Sequence, residues 1–117
     1  MSFKFEKLLV WQRAMELGDH IDILTHDFPK KEIYNLSSQI RRAADSVALN
    51  ISEGSIGQSN PELKKFIGYS IRSLAEVVTC LYKARNRKYI TDKQFDKFYS
   101  ECFELMNMLT AFKNKIN

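Results

Sequence analysis

Apolar residues recur along the chain at intervals of three and four, the spacing that places side chains on one face of an α-helix. Four segments show this pattern, near residues 8–26, 31–54, 61–88 and 92–116, and none shows the alternation of a β-strand. Intervals that average about 3.5 favour helices packed nearly parallel, and short connections make sequence neighbours antiparallel. The sequence therefore predicts an all-α, up-down-up-down four-helix bundle, with residues 1–117 as a single domain.

Each segment carries one apolar stripe that would face the core. The first two stripes are Val10, Ala14, Leu17, Ile21, Leu24 and Phe28, then Ile33, Leu36, Ile40, Ala44, Val47 and Ile51. The third is Leu63, Ile67, Ile71, Leu74, Val78 and Leu81, and the fourth is Phe95, Phe98, Cys102, Leu105, Leu109, Phe112 and Ile116.

Turn and capping residues mark the ends of these segments. Gly54 is a natural helix stop, and either Ser59 or Asn60 would cap the third helix. Thr91 and Gln94 have the spacing of a capping box at the start of the fourth helix.

A second line of small and polar residues runs beside the apolar stripe of the second segment. This polar seam consists of Gln39, Ala43, Ser46, Asn50 and Glu53, in steps of 4-3-4-3. Solvated helix faces usually carry long charged side chains, whereas small residues allow another backbone to approach and amides can fix the register of an interface. The seam is either a boundary strip at the edge of the core or a contact with a second chain.

Other apolar residues lie beside the core stripes. Tyr99, Phe103 and Met106 do so in the fourth segment, and Phe66 and Val77 in the third. Because monomers seldom leave wide apolar faces exposed, we predict a homo-oligomer.

Composition indicates an ordinary globular protein of 117 residues with 44% hydrophobic residues. Cys80 and Cys102 lie in apolar helical runs, where a lone cysteine acts as a small hydrophobic residue. The N-terminus lacks the features of a signal peptide, and no apolar run is long enough to span a bilayer. We therefore expect a cytoplasmic protein with no membrane partner.

The formal net charge of +4 permits a polyanionic partner, and the third segment has a basic outer face. The candidate nucleic-acid-binding residues are Lys65, Tyr69, Arg72, Lys83, Arg85, Arg87 and Lys88. Basic side chains interleaved with tyrosine suit phosphate contact and base stacking. The alternative is a solvated outer face whose C-terminal cations complement the helix dipole. Arg42, next to the polar seam, either joins an RNA contact or bridges subunits.

No pattern of catalytic or metal-binding residues is visible. His20 and His26 are six residues apart, too far to share a metal as an i, i+4 pair. The glycine-containing stretch EGSIGQSNPE lacks the lysine and hydroxyl residue of a P-loop. We predict no catalytic residues, no metal and no cofactor, and therefore not an enzyme.

Three stretches of the chain resemble a known family: FEKLLVWQRAMEL at 5–17, FPKKEIYNLSSQIRRAADSVALNISEGS at 28–55 and SLAEVVTCLYKARNRKYI at 73–90. They are similar to the bacterial four-helix-bundle proteins, also called 23S rRNA intervening-sequence proteins or the S23 ribosomal protein family. Asn50, Glu53 and Gly54 lie in the family signature. At the position of Ser52, other members of the family usually have alanine.

The resemblance implies an up-down four-helix bundle that forms a pentamer, and RNA as a candidate ligand. The accessory variability protein of diversity-generating retroelements is a relative, which by analogy adds DNA and a reverse transcriptase to the candidate partners. Two functions remain open: an oligomer that binds RNA or another nucleic acid through its basic surface, and a protein-interaction scaffold with no nucleic-acid role. Salt-dependent RNA binding would distinguish them.

Overall fold

The computed structural model describes residues 1–57 and 59–117, so Gln58, in the predicted loop between the second and third segments, lies outside the described residues. The described residues form four α-helices and two short 3-10 turns, without β-strands. The helices are α1 (Leu9–Thr25), α2 (Leu36–Ile56), α3 (Asn60–Asn86) and α4 (Asp92–Asn114), and the 3-10 turns are Lys4–Lys7 and Lys30–Glu32.

Each helix packs against its neighbours in the chain, and α1 also packs against α4, which closes the bundle. Consecutive helices are antiparallel, because late residues of one lie beside early residues of the other. Gly54, near the end of α2, lies against Phe66, near the start of α3, and Gly68 in the first half of α3 lies beside Lys113 in the last turn of α4. The bundle measures 43 × 23 × 23 Å. The predicted all-α four-helix bundle is confirmed.

The core lies where the apolar stripes meet along the bundle axis. Every predicted stripe residue of α1 and the first five of α4 are buried, including Leu17 and Leu109 at 0% exposure. Two predictions from the pattern were wrong. Ile33 is 46% exposed instead of buried, and Val77, predicted to lie beside the core stripe of the third segment, is completely buried.

The predicted caps are present at two helix starts. The Ser59 hydroxyl accepts a hydrogen bond from the Glu62 backbone N–H at 3.3 Å, with Pro61 in the first turn of α3. Thr91 and Gln94 form a reciprocal capping box at α4, with bonds of 3.0 and 2.9 Å. These caps satisfy N–H groups that have no partner within the helix.

Helix α2 begins at Leu36, five residues later than predicted, because Glu32 interrupts the helical pattern. Its carboxylate is buried and accepts hydrogen bonds from the Leu36 backbone N–H at 3.3 Å and the Asn35 side chain at 3.0 Å. Glu32 therefore caps the start of α2, and the turn before the helix carries Ile33 to the surface.

Gly54 does not end α2, which continues to Ile56. The glycine is buried against α3, where a Cβ at this position would lie 2.6 Å from the Phe66 Cβ. The residue is small because the two helices approach closely here. Nearby, the buried Ser70 hydroxyl donates a hydrogen bond to the Val47 carbonyl at 2.8 Å and joins α3 to α2.

Candidate nucleic-acid interface

A basic groove lies between the first half of α3 and the last turn of α4. It has a volume of about 510 Å³. The antiparallel arrangement of the two helices places the start of α3 beside the end of α4. The groove is lined by Lys64, Lys65, Gly68, Tyr69, Ile71, Arg72 and Lys113.

Four cations line this basic groove, and none of its described lining residues is acidic. Within the described chain, no Asp or Glu oxygen lies within 4.0 Å of the nitrogens of Lys64, Lys65, Arg72 or Lys113. Gly68 leaves space for the Lys113 ammonium, whose Nζ lies 3.6 Å from where a Cβ would be. The four charges are therefore available to an anionic ligand.

An aromatic ring borders the same groove. The Lys65 Nζ lies 5.9 Å from the centroid of the half-buried Tyr69 ring, within the range of a cation–π contact. Phe66 packs edge-on against Tyr69, with 5.5 Å between the ring centroids. This packing holds the tyrosine at the edge of the groove, where a base could stack on it.

The structure divides the predicted basic residues into two groups. Lys65, Tyr69 and Arg72 meet in the basic groove. Lys64 and Lys113 also line it, and the sequence pattern did not predict these two residues. The remaining four lie toward the other end of α3: Lys83, Arg85, Arg87 and Lys88.

Two residues of the second group, Arg85 and Arg87, already make contacts within the chain. The Arg85 guanidinium lies over the rings of Phe95 and Tyr82, at 4.1 and 5.1 Å from their centroids. Arg87 donates a hydrogen bond to the buried Glu32 carboxylate at 3.2 Å. Lys83 and Lys88 are exposed, and Lys88 follows the end of α3 in the left-handed conformation, with a φ of 63°.

The polar seam lies on the side of α2 that borders α3. Its central residue, Ser46, accepts hydrogen bonds from Ser73 at 3.0 Å and from the Asn50 side chain at 3.0 Å. Ala43 is buried, whereas Gln39 and Glu53 at the two ends of the seam are exposed. The middle of the seam therefore has its hydrogen-bond partners within the chain, and contact of its ends with a second chain stays a prediction.

A second groove, here called the polar groove, opens along the first half of this seam. It has a volume of about 490 Å³ and lies between α2 and the middle of α3. Arg42 borders it and donates hydrogen bonds to Ser38 at 2.7 and 3.2 Å. The lining residues are Tyr34, Asn35, Gln39, Arg42, Ala43, Ser46, Ser73 and Glu76.

The two cysteines are free thiols in the core. Burial raises the pKa of the Cys102 thiol to about 12 and is also the main cause of the raised pKa of Cys80. Both thiols stay protonated at neutral pH and act as packing groups. Among the described residues, no group of three or more His, Cys, Asp or Glu side chains could hold a metal ion.

No helix in the described parts of the chain has the length and apolar character needed to cross a membrane.

These observations define an all-α four-helix-bundle protein with a cationic groove along one side. The chain belongs to the 23S rRNA-intervening sequence protein family, whose family model matches residues 6–111.

One similar solved structure is a protein with unknown function from the S23 ribosomal protein family of Bacteroides thetaiotaomicron. It is 19% identical, and the match has a TM-score of 0.84 and covers 92% of this chain and 96% of that chain. At this identity the likeness shows the fold alone. No curated protein matches the chain.

Proposed function

We propose that this chain is a non-catalytic protein that binds RNA through the basic groove between α3 and α4. The observation that carries the proposal is the convergence of Lys64, Lys65, Arg72 and Lys113 on one groove, with no acidic residue in its described lining. Cations in such an arrangement attract phosphates and release the counterions condensed on the RNA. Tyr69 adds a ring on which a base can stack. The family's name, which refers to an intervening sequence of 23S rRNA, agrees with this class of ligand.

The number of cations sets the expected dependence of binding on salt. If all four cations contact phosphates of single-stranded RNA, log K should fall against log salt with a slope of about −3. Because these contacts are made to the backbone, this part of the binding should be largely independent of base sequence.

The direct test is a triple variant, Lys64→Gln, Lys65→Gln and Lys113→Gln. We expect its affinity for a fluorescent single-stranded RNA at low salt to fall by about tenfold or more, with a salt slope near −1 in place of about −3. Fluorescence anisotropy at several salt concentrations measures both quantities.

A matched control is the triple variant Lys30→Gln, Lys93→Gln and Lys97→Gln. These lysines are exposed near the connections at the other end of the bundle, and their loss changes the net charge by the same amount. This variant should keep most of the affinity. Equal losses in the two triple variants would contradict the basic groove as the site, and no binding by the wild type at low salt would favour the scaffold function.

The proposal includes self-association, for which an apolar groove between α1 and α2 is the supporting feature. This groove has a volume of about 470 Å³, and its lining includes Phe5, Trp11, Met15 and Leu49. Met15 is 44% exposed and Leu49 is 59% exposed, which is unusual for large apolar residues around one groove. We propose that a second copy covers this face, in a ring of five subunits as the family resemblance implies.

Leu49→Glu should disrupt this assembly, because it places a charge at the centre of the proposed contact. Sedimentation velocity should give a mass near five times 13.7 kDa for the wild type and a smaller mass for the variant. Ile23→Glu, at a residue 65% exposed on α1 and outside the groove, is the control and should leave the mass unchanged. A wild-type mass of 13.7 kDa at tens of micromolar would contradict self-association.

A further inference from the structure

The polar groove between α2 and α3 has a chemistry different from that of the basic groove. Its described lining residues include no lysine, and the one arginine among them is balanced by one glutamate, Glu76. Such a groove has little net attraction for phosphate. The other polar side chains of the lining carry amides and hydroxyls, the groups that form hydrogen bonds with the edges of nucleobases.

Gln39 is the amide best placed to meet a ligand. It is exposed, and its side chain forms no hydrogen bond within the described part of the chain. Its free donor and acceptor match the paired acceptor and donor groups on the edge of a base. Asn35 and Ser46, in contrast, already use part of their capacity in bonds to Glu32 and Ser73.

Tyr34 supplies an aromatic surface at the same groove. It lies in the turn before α2, and the residue is 96% exposed. It does not contribute to the buried core, so packing does not explain why a large aromatic residue is present here. An exposed ring beside a free amide is the combination with which proteins bind an unpaired base, by stacking and by edge recognition.

The two grooves are adjacent on α3. Arg72 lines the basic groove, and the next residue, Ser73, lines the polar groove. From Gly68 to Glu76 the helix rises about 12 Å, at ~1.5 Å per residue, a distance that a few nucleotides cover. One RNA strand can therefore place phosphates in the basic groove and a base in the polar groove.

We infer that the polar groove is a subsite for an unpaired nucleobase of the RNA, with Tyr34 stacking on the base and Gln39 contacting its edge. This inference rests on the proposed RNA-binding function and adds a preference for RNA with unpaired nucleotides.

The test compares two RNAs of equal length, a hairpin with an unpaired loop and a blunt duplex. We expect Tyr34→Ala to lower the affinity for the hairpin by about tenfold, while its affinity for the duplex and its salt slope stay as in the wild type. Tyr34→Phe keeps the ring and should keep the affinity. Because the side chain is exposed, neither substitution should change the thermal midpoint. Equal hairpin affinity for the wild type and Tyr34→Ala would overturn the subsite while leaving the basic groove in place.

A second measurement does not depend on phosphate binding. Titration of ¹⁵N-labelled protein with adenosine or uridine, which carry no phosphate, should shift the side-chain amide resonances of Gln39, and Gln39→Ala should reduce the shifts at neighbouring residues. Absence of any shift at millimolar nucleoside would overturn the subsite. Nucleoside binding without RNA binding would support the subsite and contradict the proposed function.

Discussion

Replacing Gly54 with alanine is expected to destabilise the bundle, although alanine is the better helix former. A Cβ at Gly54 would lie 2.6 Å from the Phe66 Cβ and 3.3 Å from the Leu63 Cδ1. The Phe66 Cβ is bonded directly to the α3 backbone, so the contact is relieved only if α2 and α3 move apart. The gain in helix propensity is about 1 kcal/mol, whereas overpacking of this kind costs up to about 3 kcal/mol. We expect a net loss of about 1–2 kcal/mol in the free energy of unfolding, and a larger loss for Gly54→Val.

The same substitution at Gly68 in α3 is the control, with the opposite expected sign. Here the nearest atom to an added Cβ is the flexible Lys113 Nζ at 3.6 Å, an ordinary contact distance. Gly68→Ala should therefore stabilise the protein by up to about 1 kcal/mol through helix propensity. Urea unfolding of both variants gives the two values. If Gly54→Ala were as stabilising as Gly68→Ala, the close approach of α2 and α3 would not constrain residue 54.

Most of the fold was predictable because local patterns decide it. The apolar stripes of α1 and α4 repeat without interruption, and the capping box at Thr91 marks a helix start from neighbouring residues alone. The start of α2 was not predictable in this way. Its position depends on Glu32, whose burial is stabilised by Tyr89 and Arg87, far along the chain.

The candidate site was predictable only in part, for a related reason. Lys65, Tyr69 and Arg72 share one helix face, which a helical wheel shows, but a groove between two helices also depends on their register. The register of α3 against α4 could have been inferred by counting residues from the turn between them. Lys65 is 21 residues before the end of α3 at Asn86, and Lys113 is 21 residues after the start of α4 at Asp92. An antiparallel pair joined by a short turn brings such positions together.

Glu32 joins the two connections at one end of the bundle, from α1 to α2 and from α3 to α4. The residue is 5% exposed, and it accepts hydrogen bonds from the Tyr89 hydroxyl at 2.7 Å and from Arg87 at 3.2 Å. The Tyr89 hydrogen bond is the largest cause that lowers the pKa of the Glu32 carboxyl, with smaller contributions from the Leu36 N–H and Arg87. Burial acts in the opposite direction but does not prevail.

The lowered pKa predicts the pH range over which Glu32 stabilises the fold. Because the folded-state pKa lies below the ordinary value of 4.5, the contribution is fully present above that pH and is lost as pH falls through the folded-state pKa. Glu32→Gln removes the charge and keeps the size. At pH 7 we expect its thermal midpoint to be lower than that of the wild type by roughly 5 °C. The difference should shrink as pH falls below about 4.5, because the wild-type carboxyl then becomes protonated.

Calorimetry or circular dichroism melts from pH 7 to pH 3 measure this effect. Tyr89→Phe removes the shortest hydrogen bond to the carboxylate and should reproduce part of the loss at pH 7. Glu6→Gln changes the charge of an exposed carboxylate in the first 3-10 turn, outside this network, and should leave the thermal midpoint within about a degree of the wild-type value. A difference between the wild type and Glu32→Gln that stayed constant over the whole pH range would show that the lost stability comes from shape and not from the carboxylate charge.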